Sequence, residues 1–200
     1  ARMVVAKGQE LQKPIKWMST RPFWRYEQVQ QGRFREFYQT NVDVFGSAKP
    51  AADAEILSYA ADALTTLGLE APDFEFRVSH RDILGGLLRA FDADVDVRDA
   101  VRAVDKSEKI DPAQYYDLLN QAGLSYDQAE TFDDLLGTDD LSELTDFAGT
   151  EDVDAAVGNL QNVLDAADDF GVREFCTVSL ETARGLDYYT GTVFECFDTQ

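Results

Sequence analysis

The sequence predicts an α+β fold: an antiparallel β-sheet backed by helices and interrupted by a helical insertion. Three observations lead there. The stretch FWRYEQVQQGRFREFYQTNVDVFG, Phe23 to Gly46, sorts polar from apolar residues with period two on either side of a polar loop around Gln30 to Gly32, the mark of a hairpin. Phe74 to His80, Glu174 to Leu180 and Thr192 to Phe197 are strand-like apolar runs. Between the first and second of these, from about Arg89 to Gly171, apolar residues fall at helical spacing and acids fill the polar positions.

The elements follow in order. Ala1 to Gln12 reads as the end of a helix, with Met3, Val4 and Leu11 apolar, and Pro14 stops it. Ile15 to Met18 is a short apolar run, expected as a strand leading into the hairpin. Asp53 to Leu67 is a helix: Ile56, Leu57, Ala60, Leu64 and Leu67 share a face and Gly68 terminates it. His80 is the only histidine. A lone histidine invites a catalytic role, but this one follows a buried strand, which favours a structural role. The stretch HRDILGGLL then starts a helix. Asp111 caps a helix with Pro112 at its first position and Gly123 beyond its end. Ser125 and Gln128 form a capping-box pattern closed by Gly137. Glu151 to Phe170 is the longest helix, with Val153, Val157, Leu160, Val163, Leu164 and Ala167 in one stripe and Gly171 after it.

Composition bounds the function. Two hundred residues, 44% of them hydrophobic, suffice for one domain with an insertion. Net charge is −20, Asp outnumbers Glu about two to one, and Lys is rare. The charge is uneven: residues 1–49 are net basic and residues 50–200 strongly acidic. Such a surface suits a high-salt cytoplasm, where the Debye length falls to ~3 Å at 1 M and self-repulsion is screened. An ordinary acidic interaction surface is the alternative. Cys176 and Cys196 sit in apolar runs and are expected as buried thiols, not a disulfide framework. There is no signal segment and no apolar run approaching the ~18 residues of a membrane span, so a cytoplasmic location is expected.

The hairpin carries the chemistry. One face is expected to be apolar and buried, with Trp24, Tyr26, Tyr38, Val42 and Val44. The other carries Arg25, Glu27, Gln39 and Asp43 with Phe37 among them. A solvated sheet face can hold any one of these polar residues. Cations, carboxylates, an amide and an aromatic ring together suit a flat, charged ligand.

This stretch resembles motif 2 of class II aminoacyl-tRNA synthetases, a Phe-Arg-x-Glu element, a variable loop, then Arg or His, three further residues and Phe. Here the elements are WRYE, with Trp24 at the usual Phe, and Arg33 to Phe37. A second stretch, RGLDYYTGTVFE (Arg184 to Glu195), resembles the histidine-binding signature of the histidyl-tRNA synthetase family. The resemblance covers both ends of the chain well and the middle poorly. It implies an antiparallel sheet of class II synthetase type, with residues 1–88 as the motif 2 part of a catalytic domain, 89–171 as a helical insertion and 172–200 as the signature part. It also implies ATP and Mg2+, histidine and tRNA(His) as ligands, and a homodimer for the full-length protein.

By resemblance, Arg25 bridges the amino-acid carboxylate and the α-phosphate, and Arg184 is the second catalytic arginine. Glu27 receives the adenine amino group, Arg33 reaches the terminal phosphates and Phe37 lies against adenine. Asp43 and Tyr189 hold the imidazole, Gln39 the α-amino group, and Arg184 and Tyr188 complete the histidine-binding set. The family usually has Glu at Asp43, and Tyr188 also has a packing reading. Gly185 and Gly191 would permit tight turns around the ligand. The insertion is expected to help hold the acceptor stem through cations such as Arg98, Arg102, Lys106 and Lys109. Motif 1, the upstream loop for the amino group, motif 3 and the anticodon domain are not in these residues, so a piece of a longer protein is expected. The rival is the synthetase-like regulatory subunit of ATP phosphoribosyltransferase, a binding module of the same fold that tends to lose the arginines and the signature. A degenerate synthetase-like domain sensing uncharged tRNA is a further alternative.

Overall fold

The computed structural model describes residues 2–91, 94–138, 140–182 and 190–199. The chain divides into two compact units, Ala1–Ala52 and Asp53–Gln200.

The first unit holds helix α1 (Arg2–Lys7) and one long hairpin, β1 (Ile15–Trp24) against β2 (Glu36–Phe45). The register runs from Ile15 opposite Phe45 to Trp24 opposite Glu36. Ile15 to Met18 is thus the first part of β1 and not a separate lead-in strand. At the other end the ladder stops at Trp24, so Arg25 to Glu27 lie beyond it. One more backbone bond, from Arg25 N–H to the Arg35 carbonyl at 2.9 Å, continues the pairing. The tip closes where Gln30 and Arg33 exchange backbone bonds of 3.3 and 3.0 Å around Gly32, whose φ of 77° is open to glycine.

The expected buried face of the hairpin is corrected. Trp24, Tyr26 and Tyr38 are 74%, 94% and 78% exposed, and no described residue of 2–52 is fully buried. Val42 and Val44 of that face are half-buried, and so are Phe23, Phe37, Gln39 and Asn41 of the other. A two-stranded ribbon has no third layer of its own to cover a face, so parity alone does not bury it.

The second unit is built on a three-stranded sheet ordered β4 (Cys176–Val178), β3 (Phe74–His80), β5 (Thr192–Asp198). β3 runs antiparallel to β5 and parallel to β4. The described strands therefore form two hydrogen-bonded sheets, where one continuous antiparallel sheet was expected. Parallel β3–β4 pairing follows from the crossover, since a long helical segment joins them.

Helices α2 (Pro50–Thr66), α3 (Arg81–Phe91), α4 (Val97–Val104), α5 (Pro112–Gln121), α6 (Tyr126–Leu136), α7 (Leu141–Ala148) and α8 (Glu151–Asp169) complete the chain, with short 3₁₀ turns at Ser107–Lys109 and Arg173–Phe175. The caps are local. Asp111 accepts from the Ala113 N–H at 2.9 Å, and Ser125 and Gln128 make a reciprocal capping box. The run from Glu174 reaches β geometry only at Cys176, because its start is the 3₁₀ turn.

One apolar core joins these elements. Phe74, Phe76 and Val78 on the inner face of β3 are buried with Leu57 and Ala61 of α2, Leu84 and Leu88 of α3 and Leu160 and Val163 of α8. Phe74 stacks on Phe175 with centroids 5.0 Å apart, and Phe76 meets Phe194 edge-on at 5.7 Å. α3 and α8 pack so closely that a Cβ at Gly86 would collide with the Val153 side chain. Cys176 is buried as expected, but Cys196 is exposed, a correction due to its place on a sheet margin.

Candidate active site

The long hairpin positions the first set of candidate residues. Cross-strand partners share a face in an antiparallel pair. The register therefore groups Phe37, Gln39 and Asp43 of β2 with Phe23, Arg21 and Trp17 of β1. Phe23 and Phe37 stack with centroids 6.4 Å apart and an angle of 24°. The Arg25 guanidinium continues this face, 5.3 Å from the Phe37 centroid. A cation over an aromatic face is attracted by the ring quadrupole, which holds Arg25 in place. The Gln39 amide nitrogen donates to the Asn41 side-chain carbonyl in a short contact along the same strand.

Arg35 lies on the other side of the tip, over the Tyr26 ring at 5.1 Å, and donates to the Glu27 carbonyl at 3.3 Å. Glu27 is half-buried and Arg33 exposed at the turn. The structure thus brings Arg25 to Phe37 and puts Gln39 and Asp43 along the same face. Arg21 and Asn41 were not singled out in the sequence. Their signal was parity, and it becomes legible only once β1 is extended back to Ile15.

Of the second candidate stretch, the described residues from Thr190 onward run into β5 of the three-stranded sheet. Arg184, Tyr188 and Tyr189, with Gly185, lie outside the described residues. Gly191 is described, with φ 71°, and its carbonyl accepts from the Arg81 N–H at 3.0 Å. The outer face of β3 carries a polar cluster. Arg77 donates to Glu75 at 2.8 Å and lies over the Phe197 ring at 4.1 Å, while the Thr177 hydroxyl donates to Glu75 at 3.0 Å. The Arg77 bond chiefly holds the Glu75 carboxyl below its ordinary pKa.

His80 is 4% exposed at the end of β3. Its Nδ1 accepts from the Asp82 N–H at 3.3 Å, and burial pushes its pKa down, so the imidazole is neutral near pH 7. Of the cations in the helical region, Arg102 donates to Asp99 at 3.1 Å and Lys109 to the Asp105 carbonyl at 3.1 Å. Among the described residues no group of three His, Cys, Asp or Glu could hold a metal ion. No described helix is long and apolar enough to cross a membrane.

The fold is of the class II aminoacyl-tRNA synthetase type. A solved histidyl-tRNA synthetase from Nostoc sp. PCC 7120 matches with a TM-score of 0.85 at 24% identity, covering 98% of this chain and 46% of that one. A Bacillus halodurans structure described as an ATP phosphoribosyltransferase regulatory subunit/histidyl-tRNA synthetase matches with a TM-score of 0.83 at 22% identity, over 100% of this chain and 52% of that one. Both likenesses concern the fold alone. The family model for histidyl-tRNA synthetase matches residues 1–200, and the chain belongs to that family.

Among curated relatives, the histidine–tRNA ligase of Natronomonas pharaonis is 76% identical over 199 residues, covering 100% of this chain and 46% of that protein. The histidine–tRNA ligase of Halobacterium salinarum is 71% identical with the same coverage. The chain spans about half the length of these relatives. They come from halophilic archaea, in keeping with the acidic, Lys-poor composition.

Proposed function

We propose that this chain supplies part of the catalytic domain of a histidine–tRNA ligase, which activates histidine with ATP and transfers it to tRNA(His). The observation that carries the reading is the ligand-facing set on the hairpin: Arg25 over Phe37, with Gln39 and Asp43 on the same face. The 76% identity to a histidine–tRNA ligase supports it.

In this reading the histidine carboxylate oxygen attacks the α-phosphorus of ATP. The bond to the bridging oxygen breaks, pyrophosphate leaves and histidyl-adenylate remains. A terminal ribose hydroxyl of the tRNA then attacks the carbonyl, and AMP leaves. Both reactants of the first step are anionic, so fixed cations at the point of charge build-up dominate the catalysis. Arg25 takes this role, since its planar fork spans carboxylate and phosphate together. Arg184 is the second such cation. Phe37 offers its ring to adenine, Glu27 accepts from the adenine amino group and Arg33 reaches the terminal phosphates. Gln39 holds the α-amino group, and Asp43 and Tyr189 hold the imidazole, with Tyr188 beside them.

Mg2+ supplies charge neutralisation on the ATP phosphates. The insertion at 89–171, a homodimer of the full-length protein and a cytoplasmic location belong to the same reading. The test is histidine-dependent pyrophosphate exchange by the full-length protein. Exchange that depends on histidine and falls more than tenfold in Arg25→Ala supports it. Absence of exchange in the wild type favours a non-catalytic binding module.

A further inference from the structure

The end of β3 holds both flanks of the histidine-signature segment. On one side the Ser179 N–H donates to the Val78 carbonyl at 3.0 Å, and the Thr182 N–H to the Ser179 carbonyl at 3.1 Å. On the other side the Arg81 N–H donates to the Gly191 carbonyl, and His80 pairs with Thr192 across the ladder. A Cβ placed on Gly191 would stand 3.9 Å from His80 Nε2, so the ring lies against this glycine.

His80 joins four elements there. Its Nδ1 accepts from the Asp82 N–H, which leaves the ring proton on Nε2. Asn159 of α8 lines the same cleft as the ring and opposes the lowering of its pKa. The same Asn159 carbonyl accepts from the Thr192 hydroxyl at 3.5 Å. Asp53 of α2 acts electrostatically on Thr192 and His80, and burial pushes its carboxyl pKa up. An open cleft lined by His80, Asp82, Arg89, Asp152 and Asn159 lies on the far side of the ring. A strand end that needed only packing would be filled by an apolar residue, as Phe74, Phe76 and Val78 fill the rest of the strand's inner face.

We propose that His80 is a positioning residue: together with Asn159 it fixes Gly191 and Thr192, which lie inside the signature, and so couples α8 to histidine recognition. The proposal rests on the histidine–tRNA ligase reading. His80 touches no substrate. It acts by holding Gly191 and Thr192, neighbours in sequence of the proposed histidine-binding residues, and a small displacement there is felt in binding. The coupling also gives the helical region, distant in sequence, a physical link to the amino-acid site.

The test uses the full-length protein and pyrophosphate exchange. His80→Ala and Asn159→Ala are each expected to raise the KM for histidine about tenfold while leaving that for ATP within about twofold. The double variant should be no worse than either single one, because the two side chains act as one unit. His80→Gln, which keeps an N–H near the position of Nε2, should return the KM to within about threefold of wild type. A purely structural histidine would lower the melting temperature of His80→Ala without separating the two KM values.

Should His80→Ala fail to fold, the half-buried Asn159→Ala carries the same comparison. Nitrogen NMR of histidine-labelled protein, with the His80 signal assigned by its loss in His80→Gln, should show the Nε2–H tautomer. An unchanged histidine KM, equal changes for both substrates, additive effects or the Nδ1–H tautomer each overturn the proposal. A wild type with no exchange overturns the enzymatic reading itself, a different result from an active wild type with indifferent His80 variants.

Discussion

The Arg25 guanidinium carbon stands 5.3 Å from the centroid of the Phe37 ring, across the end of the hairpin ladder. The ring does two things in this position. It holds the cation assigned to the proposed reaction, and it presents an aromatic surface beside it. Because the ring is neutral, it orients Arg25 without spending its charge, as a carboxylate partner would.

Phe37→Leu should therefore raise the KM for ATP in pyrophosphate exchange by about five- to thirtyfold, corresponding to the ~1–2 kcal/mol of a cation–π contact with adenine stacking. The KM for histidine should move less. A larger effect on histidine than on ATP would remove Phe37 from the nucleotide side of the site.

Gly86→Ala should destabilise the second unit by about 1–3 kcal/mol, the usual cost of overpacking. The added methyl would collide with the Val153 side chain at the α3–α8 crossing. Gly158→Ala on α8 is the control, since its Cβ position is open. It should be neutral or slightly stabilising by helix propensity. Chemical denaturation of both variants measures the difference. Equal stabilities would mean that α8 shifts to make room at no cost.

Stability should also depend on pH through His80. Burial lowers its folded pKa below the ordinary 6.5, while Asp82, Asn159 and Asp53 oppose that shift. Below pH 6.5 the unfolded state then binds more protons than the folded one. Stability is therefore full above 6.5 and lost as pH falls from there toward and through the folded pKa. Asp53 works in the opposite direction, because its folded pKa is raised and it gains stability on protonation. Melting temperatures between pH 7.5 and 5.5 should fall in the wild type and fall less in His80→Gln. Equal slopes would show that other groups carry the dependence.

The melting temperature should rise between 0.1 and 3 M KCl. Net charge is −20, and the acidic excess lies after residue 50. Screening removes repulsion among carboxylates held close together by the fold more than among those of an extended chain. A flat or falling series would mean that the acidic surface is not an adaptation to salt.

By itself the sequence determined the local structure of this protein. The span of β3, the caps at Asp111 and Ser125 and the stripe of α8 are set by alternation, by side chains within three residues of a backbone donor, and by helical period. The candidate residues Arg25, Phe37 and Gln39 were legible for a related reason: the resemblance to motif 2 rests on residue types at fixed spacing within one short stretch of chain. Only tertiary structure decided the rest. The length of β1 and its register brought Arg21 opposite Gln39. The lack of a covering layer within the first unit left Trp24 and Tyr38 exposed. The pairing of β3 with both β4 and β5, through residues far apart in sequence, drew His80, Asn159 and Thr192 to one point. Period reports which side chains share a face, because it is a property of one backbone segment. Burial, register and such meetings depend on which other segment arrives, and no local pattern carries that information.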